Sequence, residues 1–378
     1  MTKKISKLHS LFNYLIIRFF YLKRIFFSKS VNFNKFWKNF DKKKLPEEMI
    51  EIIDKFLLSN SKTFISGWWK YNNIKDIKAL SNKGIENYGE IFLHYYTWYD
   101  WSNEEIEELL KELKDEKIDI KVNIYKKHEG LNYNESFKLN ILLLSLYNLL
   151  KMKDEFVYLD KLKDDSFCSN SHPFIEIENK KITHDKINSL LEVSEIKKLN
   201  LLNDNNNILE IGAGSGRLAD TILSIKDNCK YIICDIPCAL YVSYFRLKKN
   251  FKDKKIFLAI NLNDEIDLNS ALENHDIIFI FPHQLKYIKK KFFDLTLSIS
   301  ALHEMERNVI KFYMDNIGYV SKSLYFTVWK ETLIPFSLKG TKLYANNKSY
   351  FIKEEWKEIS KKSNFFPNNI IQKAFLID

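Results

Sequence analysis

Glycine, proline and cysteine are all scarce here, with nine, six and four copies in 378 residues. So little glycine and proline leaves no flexible linker or low-complexity tract, and no internal repeat is visible. The cysteines, Cys168, Cys229, Cys234 and Cys238, form no C-x-x-C pair, which excludes a disulfide framework and the familiar zinc spacings. That usage fits a reducing cytosol, with Cys234 read as a small hydrophobe in a buried strand. Long apolar runs are also missing. The stretch 8–27 is broken by Arg18, Lys23 and Arg24 and falls short of the ~20 residues a spanning helix needs. No small-residue cleavage site follows it. The expected location is cytoplasmic.

Positive charge is concentrated rather than abundant. Residues 1–44 hold twelve Lys or Arg against Asp41 alone, a net of +11, and the rest of the chain is close to −1. A nucleic-acid groove should carry its basic residues in the binding domain itself, so no nucleic-acid partner is expected. Leu8, Leu11, Phe12, Leu15, Phe19, Leu22 and Phe26 fall on one helical face. This basic amphipathic arm suits either packing on its own protein or peripheral contact with the inner face of a membrane.

Three regions follow from the pattern: the arm at 1–44, a mainly helical domain at 45–195, and an α/β domain at 196–378. Helices are expected after Pro46, after Asn103, and from Asn132 to Met152. Aromatics make up 15% of the chain, so the cluster from His94 to Trp101 reads as core packing more readily than as a sugar platform. Asp164 to Pro173 reads as a polar loop. A short strand at Phe174–Ile177, a turn at Asn179-Lys180 and a helix from Thr183 to Leu199 follow. Beyond Asn206, strands alternate with helices, the mark of a parallel α/β sheet. Strands are expected at 208–211, 231–235, 256–260, 276–281, 294–300, 324–329 and 370–377. Helices are expected at 217–225, 238–251, 304–317 and 354–360.

Of the nine glycines, three fall in Gly212-Ala213-Gly214-Ser215-Gly216, between an apolar strand and a helical run. Strand, glycine turn and helix is the setting of a nucleotide-cofactor site. The spacing is not that of a dinucleotide fingerprint, whose third small residue would stand where Arg217 does. No G-K-[ST] follows, which excludes a phosphate-binding P-loop. Glu210 before the first glycine faces no phosphate. It suits a ligand carrying an ammonium, such as the methionine part of S-adenosylmethionine. Asp235, closing the next strand, can accept both ribose hydroxyls or cap the helix that Pro237 opens.

These residues resemble motifs I and II of the class I S-adenosylmethionine-dependent methyltransferases. The resemblance implies a Rossmann-like domain with a mostly parallel, doubly wound sheet, preceded by a mainly helical N-terminal region. It also implies S-adenosyl-L-methionine as cofactor. Glu210 would lie near its amino group, Gly212, Gly214 and Gly216 along its turn, and Asp235 on its ribose.

Ligands of open α/β sheets bind beyond the carboxyl ends of the strands. The strand at 294–300 runs into Ala301-Leu302-His303-Glu304, so His303 and Glu304 should face the reacting methyl. His303 is the candidate general base on its ordinary pKa of about 6.5, and Glu304 orients it or a substrate hydroxyl. Pro282, His283 and Gln284 end the preceding strand and could contact adenine or substrate, or simply make a turn. No metal site is expected: Asp294, His303 and Glu304 show no recognised ligand spacing.

Glu210 to Gly216, Asp235-Ile236-Pro237, Phe281 to Gln284 and His303-Glu304-Met305 are together similar to a family of sugar O-methyltransferases of bacterial surface-glycan gene clusters. The likeness spans roughly 165–378, including Ile182-Thr183-His184-Asp185. It implies a hydroxyl acceptor on a sugar, sugar nucleotide or glycan. A lipid or small-molecule O-methyltransferase and a catalytically silent cofactor-binding module are the alternatives. The turn Ser300-Ala301-Leu302-His303 lacks the Asn/Asp-Pro-Pro-aromatic signature of amino-group methylation in nucleic acids.

Overall fold

A computed structural model describes residues 32–87, 107, 125–128, 131–152, 154–162, 173–177, 180–333, 342–363 and 370–377. The amphipathic arm from Leu8 to Phe26, the Asn103 helix start, the His94–Trp101 cluster, the turn at Asn179 and most of the 164–173 loop lie outside the described residues.

The helical part begins with α1 (Phe33–Asn39), capped by Asn32, whose side chain accepts the Lys35 amide at 2.9 Å. Pro46 and the first-turn acids Glu47 and Glu48 open α2 (Glu47–Leu58). A short 3₁₀ turn at Asn60–Thr63 leads to α3 (Gly67–Lys83), where the Ser66 hydroxyl accepts the Trp69 amide. Helix α4 (Tyr133–Lys151) starts with a reciprocal capping box between Asn132 and Glu135. An antiparallel hairpin of β1 (Phe174–Ile177) and β2 (Lys180–Thr183) feeds α5 (His184–Lys198), with Thr183 as its cap.

The α/β part follows as β3 (Asn207–Ile211), α6 (Arg217–Ile225), β4 (Lys230–Cys234), α7 (Pro237–Asn250), β5 (Ile256–Leu258), α8 (Glu265–Asn274), β6 (Ile277–Ile280), β7 (Leu295–Ile299), α9 (Arg307–Val320) and β8 (Ser323–Trp329). A small hairpin of β9 (Glu331–Leu333) and β10 (Lys342–Tyr344) precedes β11 (Lys357–Ser363) and β12 (Ile370–Leu376). The eight-stranded sheet has the order β11-β12-β8-β7-β3-β4-β6-β5. Strands β3 to β8 run parallel, and β11 and β12 are antiparallel to their neighbours. This is a mostly parallel, doubly wound, Rossmann-like sheet. Its winding reverses at β3, which lies between β4 and β7, and a crevice opens at such a switch point.

Two expectations needed correction, and one helix had no expectation at all. The segment 354–360 is not a helix: pairing with β12 makes 357–363 a strand, β11. Its side chains are largely exposed and rich in lysine, which suits an edge strand that must not recruit another chain. The helix expected from Glu304 begins at Arg307, because Met305 and Glu306 are extended, and Leu302–Glu304 forms a separate 3₁₀ turn. Helix α8 was not anticipated, although Asp264 caps it by accepting the Asp267 amide at 2.8 Å.

Both faces of the sheet are covered, as a parallel sheet requires. On one face α8 and α9 bring Leu268, Ile310 and Met314 against Leu209, Ile232 and Phe326. On the other, Met49 and Phe56 of α2 and Ile77 of α3 share one apolar cluster with Ile208, Ile233 and Phe279. Helices preceding the α/β region thus pack directly into its core. Phe56 meets Phe281 edge-on at 5.3 Å. Among the described residues no helix is long and apolar enough to cross a membrane.

Phe56→Ala should therefore lower stability by about 3–5 kcal/mol, the usual cost of emptying a buried phenylalanine site. Chemical denaturation should retain one transition. A loss below about 1 kcal/mol would show that α2 does not belong to the sheet's core.

Candidate active site

The carboxyl ends of four parallel strands converge on one cavity of about 290 Å³. Glu210 and the turn Gly212–Ser215 follow β3, Cys234 and Asp235 end β4, Ser300 and Ala301 follow β7, and Thr327 and Trp329 end β8. The volume is near the lower end of the range for small-molecule sites.

The glycine turn has a different reason at each step. Gly212 has φ +74°, and a Cβ there would stand 2.5 Å from the Ala301 Cβ, so only glycine lets the β3 and β7 ends approach. Gly214 has φ +60° with nothing within 4 Å of a built Cβ, and it lines the cavity. Its absent side chain leaves space for a ligand. Gly216 caps α6 and packs on Ser243 of α7, outside the cavity lining. Across the crevice, Ser300 holds a left-handed φ of +54°, fixed by its amide donating to Thr327 Oγ1 at 3.0 Å.

Asp235 joins the two strand ends. One carboxylate oxygen accepts the Gly214 amide at 2.9 Å, the other the Ile236 amide at 2.7 Å. Burial nevertheless raises its pKa to about 7, with those backbone bonds pulling the other way. Glu210 behaves similarly. It is 2% exposed, accepts the Tyr231 hydroxyl at 2.7 Å, and is raised to about 7 by burial despite Tyr231 and nearby Arg217. Arg217 is the only permanent cation lining the cavity among the described residues. It is already engaged, with both guanidinium nitrogens on Glu192 at 2.8 Å and a further bond to Ser189. This bidentate pair pins α6 to α5. Behind the turn, buried Arg246 bonds Asp220, Asp185 and Ser215, holding the turn to α5, α6 and α7.

His303 and Glu304 both line this cavity. His303 is 4% exposed, lies edge-on to Trp329, and its Nδ1 has no hydrogen-bond partner. Burial lowers its pKa to about 3, in place of the ordinary value on which a base role was expected. The imidazole is therefore neutral and a weak base. Glu304 moves the other way: burial raises it to about 7, opposed by a hydrogen bond donated by Trp69. Of the two, Glu304 has the proton affinity suited to base work near neutral pH.

Pro282, His283 and Gln284 are not brought to the cavity. Gln284 is fully buried, accepts the Phe281 amide and donates to the Ala259 and Leu262 carbonyls. His283 bridges Ser61 at 2.7 Å and Asn263 at 2.9 Å. His283 ties the helical region to the end of β6, and Gln284 ties that same end to the segment after β5. Asp294 lies at the amino end of β7, on the Asn207 amide and Lys322, away from His303 and Glu304.

The sequence reading missed α3. Trp69, Asn73 and Asp76 line the cavity from that helix. Asn73 accepts the Cys238 amide at 3.2 Å and so secures α3 to the start of α7. Their i, i+4 and i, i+3 spacing places these residues on one helical face, but only packing identifies which cavity that face closes.

No protein-family model and no curated protein matches the chain. Among solved structures it is similar to an S-adenosylmethionine-dependent methyltransferase from Aquifex aeolicus, at 13% identity over 49% of this chain and 88% of that one, with a TM-score of 0.35. Fibrillarin from Aeropyrum pernix, crystallised with natively bound S-adenosyl-L-methionine, aligns at 10% identity over 54% and 82%, with a TM-score of 0.35. A putative RNA methyltransferase from Pyrococcus horikoshii aligns at 10% identity over 58% and 93%, with a TM-score of 0.34. The likeness is one of fold. What the chain binds has to be argued from its own cavity.

Glu210 provides a test of the site's electrostatics. Its carboxyl has a native pKa of about 7 against an ordinary 4.5. The native state thus holds its proton more tightly, and stability falls as pH climbs between those values. Above pH 7 the full penalty is present, of order 3 kcal/mol. Glu210→Gln keeps an acceptor for Tyr231 without the charge. It should melt above wild type at pH 8 and match it near pH 4. A variant less stable than wild type at pH 8 would contradict the assigned environment.

Proposed function

We propose that this chain is an S-adenosylmethionine-dependent O-methyltransferase that methylates a hydroxyl of a sugar or glycan, with Glu304 as general base. The observation that carries the reading is the surplus of carboxylates around the glycine turn. Glu210, Asp235 and Glu304 line one cavity whose only permanent cation among the described residues, Arg217, is held by Glu192. Burial holds these carboxyls near pKa 7, and the one cation acting on any of them, Arg217 near Glu210, does not offset it, so positive charge is in deficit. A cofactor carrying an ammonium and a sulfonium supplies that charge, and a phosphate-rich dinucleotide does not.

The chain's own residues fit such a group. Glu210 has a carboxylate oxygen beyond the one on Tyr231, available to an ammonium. Asp235 suits ribose hydroxyls, since its carboxylate stands on the cavity wall at the end of β4, oriented by backbone amides. The Gly214 amide is already given to Asp235, so Gly214 offers space. The bound cofactor supplies a methyl group activated by its sulfonium. Glu304 takes the proton from the attacking hydroxyl, and neutral His303 beside it holds that hydroxyl by a hydrogen bond. Trp69 sets Glu304 in place and limits how far burial raises its pKa. Holding the acceptor in line supplies the remainder of the rate gain.

A sugar acceptor is supported by the mixture of indole rings, at Trp69 and Trp329, with the hydrogen-bonding groups of Asn73, Asp76 and His303. Glycan biosynthesis in the cytoplasm, with peripheral membrane contact through residues 1–44, is the setting this reading favours.

Binding should be linked to protons. With Glu210 near pKa 7 beside Arg217, Glu192, Tyr231 and Asp235, and Asp235 near pKa 7 on the backbone amides of Ile236, Gly214 and Ala213, an arriving cation lowers both pKa values. Calorimetry at pH 7 in buffers of different ionisation heat should register release of about one proton per cofactor, and affinity should rise from pH 6 to 8. Absence of binding heat with S-adenosylmethionine and with S-adenosylhomocysteine would end the proposal. Glu304→Gln should retain S-adenosylhomocysteine affinity while slowing methyl transfer by roughly 10²–10⁴-fold. Full turnover in that variant would remove Glu304 from the base role.

A further inference from the structure

The acceptor side of the cavity carries more information than the cofactor side. Its walls come from α3, from the 3₁₀ turn at Leu302–Glu304, and from the ends of β8 and β12. They present Asp76, 2% exposed, and Glu304, together with Trp69 and Trp329. No lysine lines the cavity among the described residues, and Arg217 is committed to Glu192 in a two-nitrogen pair. At the start of α7 the Cys238 amide is already given to Asn73. A phosphate entering here would meet carboxylates and find no lysine and no uncommitted arginine among the described residues of the wall.

An independent feature points to what does enter. The His303 Nδ1 is buried, has no partner and belongs to the cavity wall. A buried polar atom of this kind carries a desolvation cost until something bonds it. A neutral imidazole nitrogen beside a carboxylate and two indole rings matches a hydroxyl-bearing ring with one apolar face.

We infer that the acceptor subsite, granted the methyltransferase reading above, takes an uncharged polyhydroxyl ring and rejects one bearing phosphate or nucleotide diphosphate within the cavity. A finished or lipid-distal glycan unit therefore fits, and an early nucleotide-activated sugar does not. The reaction then comes after the glycosyl transfer that discharges the nucleotide, and that class of reaction must supply the substrate.

The test uses the full chain with S-adenosylhomocysteine bound, reading the ligand-induced change in tryptophan fluorescence, to which Trp69 and Trp329 on the cavity wall contribute. Common hexoses as methyl glycosides are compared with the matching hexose 1-phosphates and uridine-diphosphate hexoses. At least one neutral glycoside should bind at least about tenfold more tightly than its phosphorylated counterparts, since like charges in a dry site are strongly disfavoured. The double variant Asp76→Asn, Glu304→Gln should narrow that ratio, with S-adenosylhomocysteine affinity as the check that it folds. Equal or tighter binding of the phosphorylated members overturns the inference, as does a cofactor-bound protein that responds to no neutral glycoside. Failure to bind S-adenosylhomocysteine at all instead defeats the methyltransferase reading beneath it.

Discussion

The two backbone bonds to the Asp235 carboxylate hold this site together. The first draws the Gly214 amide to the end of β4 and so ties the turn after β3 to the neighbouring strand, while the second comes from Ile236, next in the chain. The turn can follow only because Gly212 passes against Ala301, where a side chain would collide. The same carboxylate is buried, so the arrangement costs desolvation free energy that the amides offset only in part. A site built this way is completed by a positive ligand, in the sense that binding relieves an electrostatic penalty already present in the empty protein.

The arginines play a complementary part. Arg217 and Arg246 sit close to the turn, yet each is satisfied by acids from α5 and α6, and their work is mechanical. Removing one partner from such a buried pair leaves an uncompensated charge and is far more damaging than exchanging both for apolar groups. Charge in this region is thus divided between groups locked to each other and groups left facing the cavity. Only the second set selects a ligand. The helices before the α/β region join that division, since α3 brings Trp69 and Asp76 to the cavity wall while its other side packs into the sheet's core.

Much of this was legible in the order of residues. The alternation of short apolar strands with helices located β3, β4, β7 and β8 to within a residue or two, because buried parallel strands read as dense apolar runs. Asn132, Pro46 and Thr183 marked helix starts through local hydrogen bonding and fixed backbone angles, which depend on near neighbours alone. Glu210, Asp235 and the glycines stood out because their spacing from a strand end is itself a local geometry. Local pattern failed at 354–360, where a helical spacing lost to pairing with β12, and at Glu304, where two extended residues interrupt the helix.

By itself, then, the sequence determined the elements, the direction of the sheet and the strand ends at which chemistry gathers, since each rests on interactions within a few residues. Tertiary structure alone decided which polar residues meet. His283 and Gln284 looked like site residues and became structural ties, His283 to the helical region and Gln284 to the segment after β5, while Trp69, Asn73 and Asp76, far earlier in the chain than the glycine turn, became cavity wall. It also decided the protonation of His303 and Glu304, because a pKa is set by how much water and charge surround a group once the chain is packed.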